Sequence, residues 1–178
     1  MKTVTVFGSS YPREGDEEYS TAYDLGRQLS LNGFNVCTGG YGGIMDAVSK
    51  GASENGREAI GVTVEVFKSS PSRYLTGEIR TKNLLERIRK LIEIGDAYIV
   101  LRGGTGTLVE LAMVWEFMNK SLLPIKPFAC HGRMWIDIVN NLNERMGIEN
   151  RKTNIIRCFD DISSCGNYIT KSLKMKFE

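Results

Sequence analysis

The sequence predicts an α/β fold: a doubly wound, mainly parallel sheet with helices on both faces. Three observations carry that expectation. Short, near-continuous apolar runs recur along the chain, as parallel strands covered on both faces require. Longer stretches with helical apolar spacing fall between them, and such alternation implies right-handed βαβ crossovers. Clusters of glycine stand where strands hand over to the helices that follow.

The elements follow in order. Residues 3–8 read as the opening strand. A helix over 18–31 places Tyr19, Ala22, Tyr23, Leu25 and Gly26 on one stripe, with Gly33 as a stop signal. Residues 34–38 form the second strand. The second helix, 44–54, sets Ile44, Ala47, Val48 and Ala52 at helical spacing and ends before Gly56. Residues 59–64 form the third strand. The polar segment 68–76 then leads to a third helix and is either a substrate lid or a surface connection. That helix, 81–94, repeats Leu84, Leu85, Ile88, Leu91 and Ile92 inward and leaves Arg87 on the flank of the stripe. Residues 97–101 form the fourth strand, and a fourth helix over 107–118 carries Leu108, Leu111, Ala112 and Trp115. A fifth strand at 127–130, a helix at 135–146, a weaker strand near 154–158 and a helix at 162–173 complete the chain. No repeat, low-complexity tract or Pro/Gly-rich linker divides it, so residues 1–178 read as one domain.

Composition narrows the function classes. At 42% hydrophobic and 25% charged residues, the chain is neither disordered nor fibrous. A net charge of +2, from 23 basic and 21 acidic residues, gives no footprint for nucleic acid or an anionic membrane. An anionic ligand must therefore be held by a local site. No apolar run approaches a membrane span, and the N-terminal MKTVTVFGSS lacks a leader's apolar region, which points to the cytoplasm. The four cysteines make no C-x-x-C pair and read as free thiols acting as small buried hydrophobes. Acidic residues are scattered and cysteine and histidine do not cluster, His131 standing alone in a turn, so no metal site is expected.

The glycines point to an anion. Gly8-Ser9-Ser10 follows the first strand, Gly39-Gly40-Tyr41-Gly42-Gly43 the second, and Gly103-Gly104-Thr105-Gly106-Thr107 the fourth. In an open α/β sheet these turns share the edge at which ligands bind. Glycine lets the backbone approach a phosphate, and the helix that follows adds unpaired amides and its positive dipole end. Thr105 and Thr107 add hydroxyl donors. The candidate phosphate- and nucleotide-binding residues are Gly8, Ser9, Gly40, Gly42, Gly103, Gly104, Thr105, Gly106 and Thr107. Met45 and Val109 stand where G-x-G-x-x-G needs glycine, and no P-loop occurs, so a mononucleotide or sugar phosphate remains.

Two charged residues complete the candidate site. Thr107 and Glu110 have the T-x-x-E spacing of a capping box, which would give Glu110 a structural role. One helical turn beyond a phosphate site, the same carboxylate could serve as a base or stabilise a cation. For Arg87, helical periodicity alone does not choose between a solvated cation and a site residue.

Gly103–Glu110 resembles the PGGxGTxxE signature of the LONELY GUY (LOG) family, and Glu86-Arg87 its companion E-R segment. Val6–Ser10 and Gly39–Met45 resemble the family's opening turn and second glycine loop. The similarity runs in order over roughly residues 3–130. It implies a Rossmann-like phosphoribohydrolase, cleaving a nucleoside 5′-monophosphate to free base and ribose 5-phosphate, with no cofactor. Arg87 and Glu110 take the catalytic positions, and the glycine-threonine loop takes the phosphate. The resemblance further implies a homodimer or higher homo-oligomer with the active site near the interface. Arg102 replaces the motif proline and Ile88 the lysine after its arginine, and the second glycine loop is one residue shorter. Arg102 would either add a phosphate contact or face solvent. The alternative is a non-catalytic nucleotide- or cofactor-binding protein like the family's molybdenum cofactor carrier relatives. Lysine decarboxylase, a label many members carry, is rejected, because no pyridoxal phosphate constellation is present.

Overall fold

Residues 1–175 are described in a computed structural model. Among them, seven strands form one sheet: β1 (Thr3–Phe7), β2 (Asn35–Thr38), β3 (Ala59–Val64), β4 (Gly77–Thr81), β5 (Ala97–Val100), β6 (Phe128–His131) and β7 (Arg157–Phe159). Their order is β4-β3-β2-β1-β5-β6-β7, and every neighbouring pair is parallel. Five helices connect strands, α1 (Glu17–Leu31), α2 (Ile44–Ser53), α3 (Leu84–Ile94), α4 (Thr105–Asn119) and α5 (Arg133–Ile148), and α6 (Ile162–Lys174) follows β7.

The strand period of two divides the core into two layers. Along β5 and the residue after it, Ala97, Ile99 and Leu101 face the layer of α1, α2 and α6, while Tyr98 and Val100 face that of α3, α4 and α5. The two layers are the helices on both faces that the apolar runs require. α1 and α2 cross closely: a Cβ at Gly26 would overlap the Val48 carbonyl, and one at Gly51 the Tyr23 carbonyl. Strand order reverses between β1 and β5, and a crevice opens there at the carboxyl ends of the strands.

Most expected elements occur with ends shifted by one or two residues. The exceptions have physical reasons. β4 is absent from the sequence reading because it is an edge strand, with Gly77, Glu78 and Arg80 exposed, and shows no apolar run. α3 starts at Leu84 rather than residue 81, because Asn83 caps it by accepting the Glu86 amide at 2.9 Å. Its inward stripe is also rotated. Leu85 is 70% exposed and Arg87 only 8%, with Ile88, Leu91 and Ile92 buried beside the arginine. β7 begins at Arg157, past most of the expected span.

Candidate active site

Three strand ends bring the glycine turns together, and Ser9 joins them. Its amide donates to the Arg102 carbonyl at 3.0 Å, and its own carbonyl accepts from Ile44, the first residue of α2, at 2.8 Å. Gly43 takes φ +70°, and a side chain there would strike the Ser9 and Ser10 backbone. The turns after β1, β2 and β5 are therefore one assembly.

That assembly walls a cleft of about 590 Å3. Gly8, Ser9, Gly104, Thr105, Gly106 and Thr107 line one side, with Arg87 and Glu110 among the lining residues too. α4 begins at Thr105 with Gly104 as its cap, so the amides of its first turn precede the helical ladder and are open to an anion. Gly40, Gly42 and Gly103 stand back from this cleft. Gly40 turns the chain at φ +78°, and Gly103 packs against Thr107, which a Cβ would overlap. Gly42 lines an adjoining cavity of about 610 Å3, where Asp46 accepts from Tyr19 at 2.5 Å and from Ser72 at 2.6 Å. The polar segment after β3 walls both spaces through Ser69.

Glu110 does not cap α4. With the helix starting at Thr105, Thr107 lies inside the first turn and Glu110 in the second, so the capping-box geometry is absent. Glu110 instead faces Arg87, with Nη1 and Oε1 3.4 Å apart and both residues 8% exposed. Arg87 Nε donates to the Val62 carbonyl at 2.9 Å, and Nη2 lies 3.9 Å from Met45 Sδ. Gly39 leaves the space that Nη2 occupies, since a Cβ there would overlap it. The Tyr41 ring lies 5.9 Å from the guanidinium. Its hydroxyl accepts the Val64 amide at 2.9 Å and donates to the Val64 carbonyl at 3.1 Å. Burial pushes the Glu110 carboxyl up to about 7, outweighing the pull of Arg87 in the other direction. Such a group exchanges a proton near neutrality, as a general base must.

Gly39, Tyr41, Met45, Phe67 and Leu84 belong to this environment but are not among the candidate site residues of the sequence. For Gly39, Tyr41 and Met45 the available signal was their place in the second glycine loop.

The sequence profile of the SLOG cluster4 family matches residues 1–158. The chain belongs to this family. It is similar to the cytokinin riboside 5′-monophosphate phosphoribohydrolase of Rhodococcoides fascians, at 29% identity over 66% of this chain and 63% of that protein. The cytokinin riboside 5′-monophosphate phosphoribohydrolase LOG of Oryza sativa subsp. japonica is 35% identical over 64% of this chain and 48% of its own. The chain thus spans about half to two-thirds of the length of these relatives. Among solved structures, the molybdenum cofactor binding protein of Rippkaea orientalis superposes with TM-score 0.76 at 20% identity, over 97% of both chains. A Moco carrier protein of Chlamydomonas reinhardtii gives 0.75 at 19% identity, over 98% of both. These two likenesses establish the fold.

Within this SLOG domain, Arg102 pairs with Glu18 of α1 at 2.7 Å and does not line the cleft. Ile88 lines the cleft and packs into the core below it. Trp115 and Trp135 are core residues, and the Trp135 indole donates to the Leu101 carbonyl at 2.9 Å.

Proposed function

We propose that this SLOG cluster4 protein hydrolyses the N-glycosidic bond of a nucleoside 5′-monophosphate, releasing free base and ribose 5-phosphate. One observation carries the reading: the buried Arg87–Glu110 pair opens into the same cleft as the amide-rich first turn of α4. A 5′-phosphate held at Gly104, Gly106 and Thr107 anchors the sugar, and anchoring converts a diffusive encounter into a positioned one. As the bond to the base breaks, the Glu110 carboxylate stabilises the positive charge growing on the ribose and orients the attacking water. Water adds its hydroxyl to the sugar carbon, and its proton leaves with the base. Arg87, fixed through Val62, holds Glu110 in place. The names of the similar curated enzymes support the same substrate class.

The active form is proposed to be a cytoplasmic homodimer or higher homo-oligomer. Exposed Leu85 and Leu108 on α3 and α4, close to the cleft, support association. Sedimentation equilibrium would test it, and a monomer at micromolar concentration would overturn it.

The deciding experiment is base release from AMP, GMP, CMP and a cytokinin nucleotide, with Glu110→Ala run alongside. Release that falls at least about a hundredfold in the variant is expected. Full turnover by Glu110→Ala would overturn the assignment. Saturable binding of a nucleotide that stays intact would establish the carrier reading instead.

A further inference from the structure

β6 and β7 place Cys130 and Cys158 directly opposite each other in parallel register. Residues so paired project to the same face of the sheet. Neighbouring strands lie about 4.8 Å apart, within the Cα separation of roughly 4.4–6.8 Å that a disulfide accepts. The two sulfurs are 2.9 Å apart, with the Cys130 thiol donating to Cys158 Sγ. Both cysteines are free. Their access differs: Cys130 is fully buried in the layer beneath α5, whereas Cys158 is half-buried on the edge strand β7. The hydrogen bond from Cys130 pulls the Cys158 thiol below its ordinary value and holds the proton on Cys130. One sulfur is thus both reachable and nucleophilic, and the other waits behind it.

We propose that Cys130 and Cys158 form a redox-active dithiol that a low-molecular-weight disulfide oxidises to an intramolecular bond. In the first step the Cys158 thiolate attacks one sulfur of glutathione disulfide, whose S–S bond breaks to release one glutathione thiolate. The chain then carries a mixed disulfide at Cys158. Cys130 passes its proton to the released thiolate and attacks Cys158 Sγ, which expels the second glutathione. The protein gives up two electrons; one proton comes from Cys130, and the one that Cys158 shed to water on ionising returns to the second glutathione thiolate, so glutathione disulfide ends as two glutathione thiols. The product ties the edge strand β7 to β6. Neither cysteine lines the cleft, so this proposal does not depend on the hydrolase reading.

The test is to equilibrate the reduced, full-length protein with glutathione disulfide, quench with acid, alkylate in denaturant, and read intact and peptide masses. The wild type is expected to lose two alkylatable thiols, retain no glutathione, and yield one cross-linked peptide pair, Cys130 with Cys158. Cys130→Ala is expected to keep glutathione on Cys158 as a stable adduct, and Cys158→Ser to remain unmodified. Four alkylated thiols in the wild type, an unresolved glutathione adduct, or a cross-link through Cys165 would each overturn the proposal. The wild-type result decides the matter even where a variant fails to fold.

Discussion

Replacing Glu110 with Gln isolates the electrostatics of the site, because the amide has the shape of a protonated carboxyl and never ionises. Burial raises the carboxyl from its ordinary 4.5 to about 7 despite the Arg87 guanidinium. Between those values the unfolded chain has released the proton and the folded protein still holds it. The folded state binds more protons there, so stability is fully present at low pH and is lost as pH rises through 7. At about 1.4 kcal/mol per pH unit, the wild type gives up about 3 kcal/mol over that interval, and Glu110→Gln gives up none of it. For a domain of this size that gap corresponds to roughly 10 °C in Tm. Urea unfolding of both proteins at several pH values between 4 and 9 measures it. Every other titrating group is common to the pair and cancels. The stability of the variant relative to wild type is expected to climb from pH 4.5 to 7 and then level off. A difference that stays flat would show that burial does not control this carboxyl. A difference that shrinks with pH would show that Arg87 outweighs burial.

Three further outcomes are expected. If the carboxylate is the working form, kcat/KM rises with pH up to about 7 and is level above it; a flat profile from pH 5 to 8 would exclude that role. Gly39→Ala places a methyl where Arg87 Nη2 lies, so turnover should fall about a hundredfold with the far-ultraviolet circular dichroism unchanged; retained turnover would show that Arg87 need not stand there. A Cβ at Gly106 meets open space, so Gly106→Ala should leave the melting temperature within a few degrees while weakening nucleotide binding by calorimetry. Unaltered affinity would move the phosphate elsewhere.

The central strands were legible because both of their faces are buried, which leaves a continuous apolar run at β5 and a near-continuous one at β3. β4 was not, because one covered edge and an exposed face leave Ile79 and Thr81 as its main inward residues. The glycine turns announced the binding edge, since backbone freedom is written in residue identity. Arg87 shows what local spacing leaves undecided. A hydropathy stripe counts arginine as outward and leucine as inward, yet Leu85 faces solvent and Arg87 is buried. What holds Arg87 inside is the Val62 carbonyl and the Glu110 carboxylate, both more than twenty positions away in sequence. Local spacing favoured a capping role for Glu110 for the same reason: the competing partner was non-local. Cys130 and Cys158 likewise carried no sequence signal until parallel register set them opposite each other.

The phenol of Tyr41 stands in for a strand at the end of β3, taking both the amide and the carbonyl of Val64. That bond makes the Val64 amide a built-in reporter. Its hydrogen exchanges with deuterium only when the glycine turn after β2 lifts from the sheet, so its exchange rate counts those openings. A nucleotide resting against Tyr41 would slow the count without being consumed. Occupancy of the cleft could then be followed by NMR at one backbone position, in an inactive variant and with any candidate ligand.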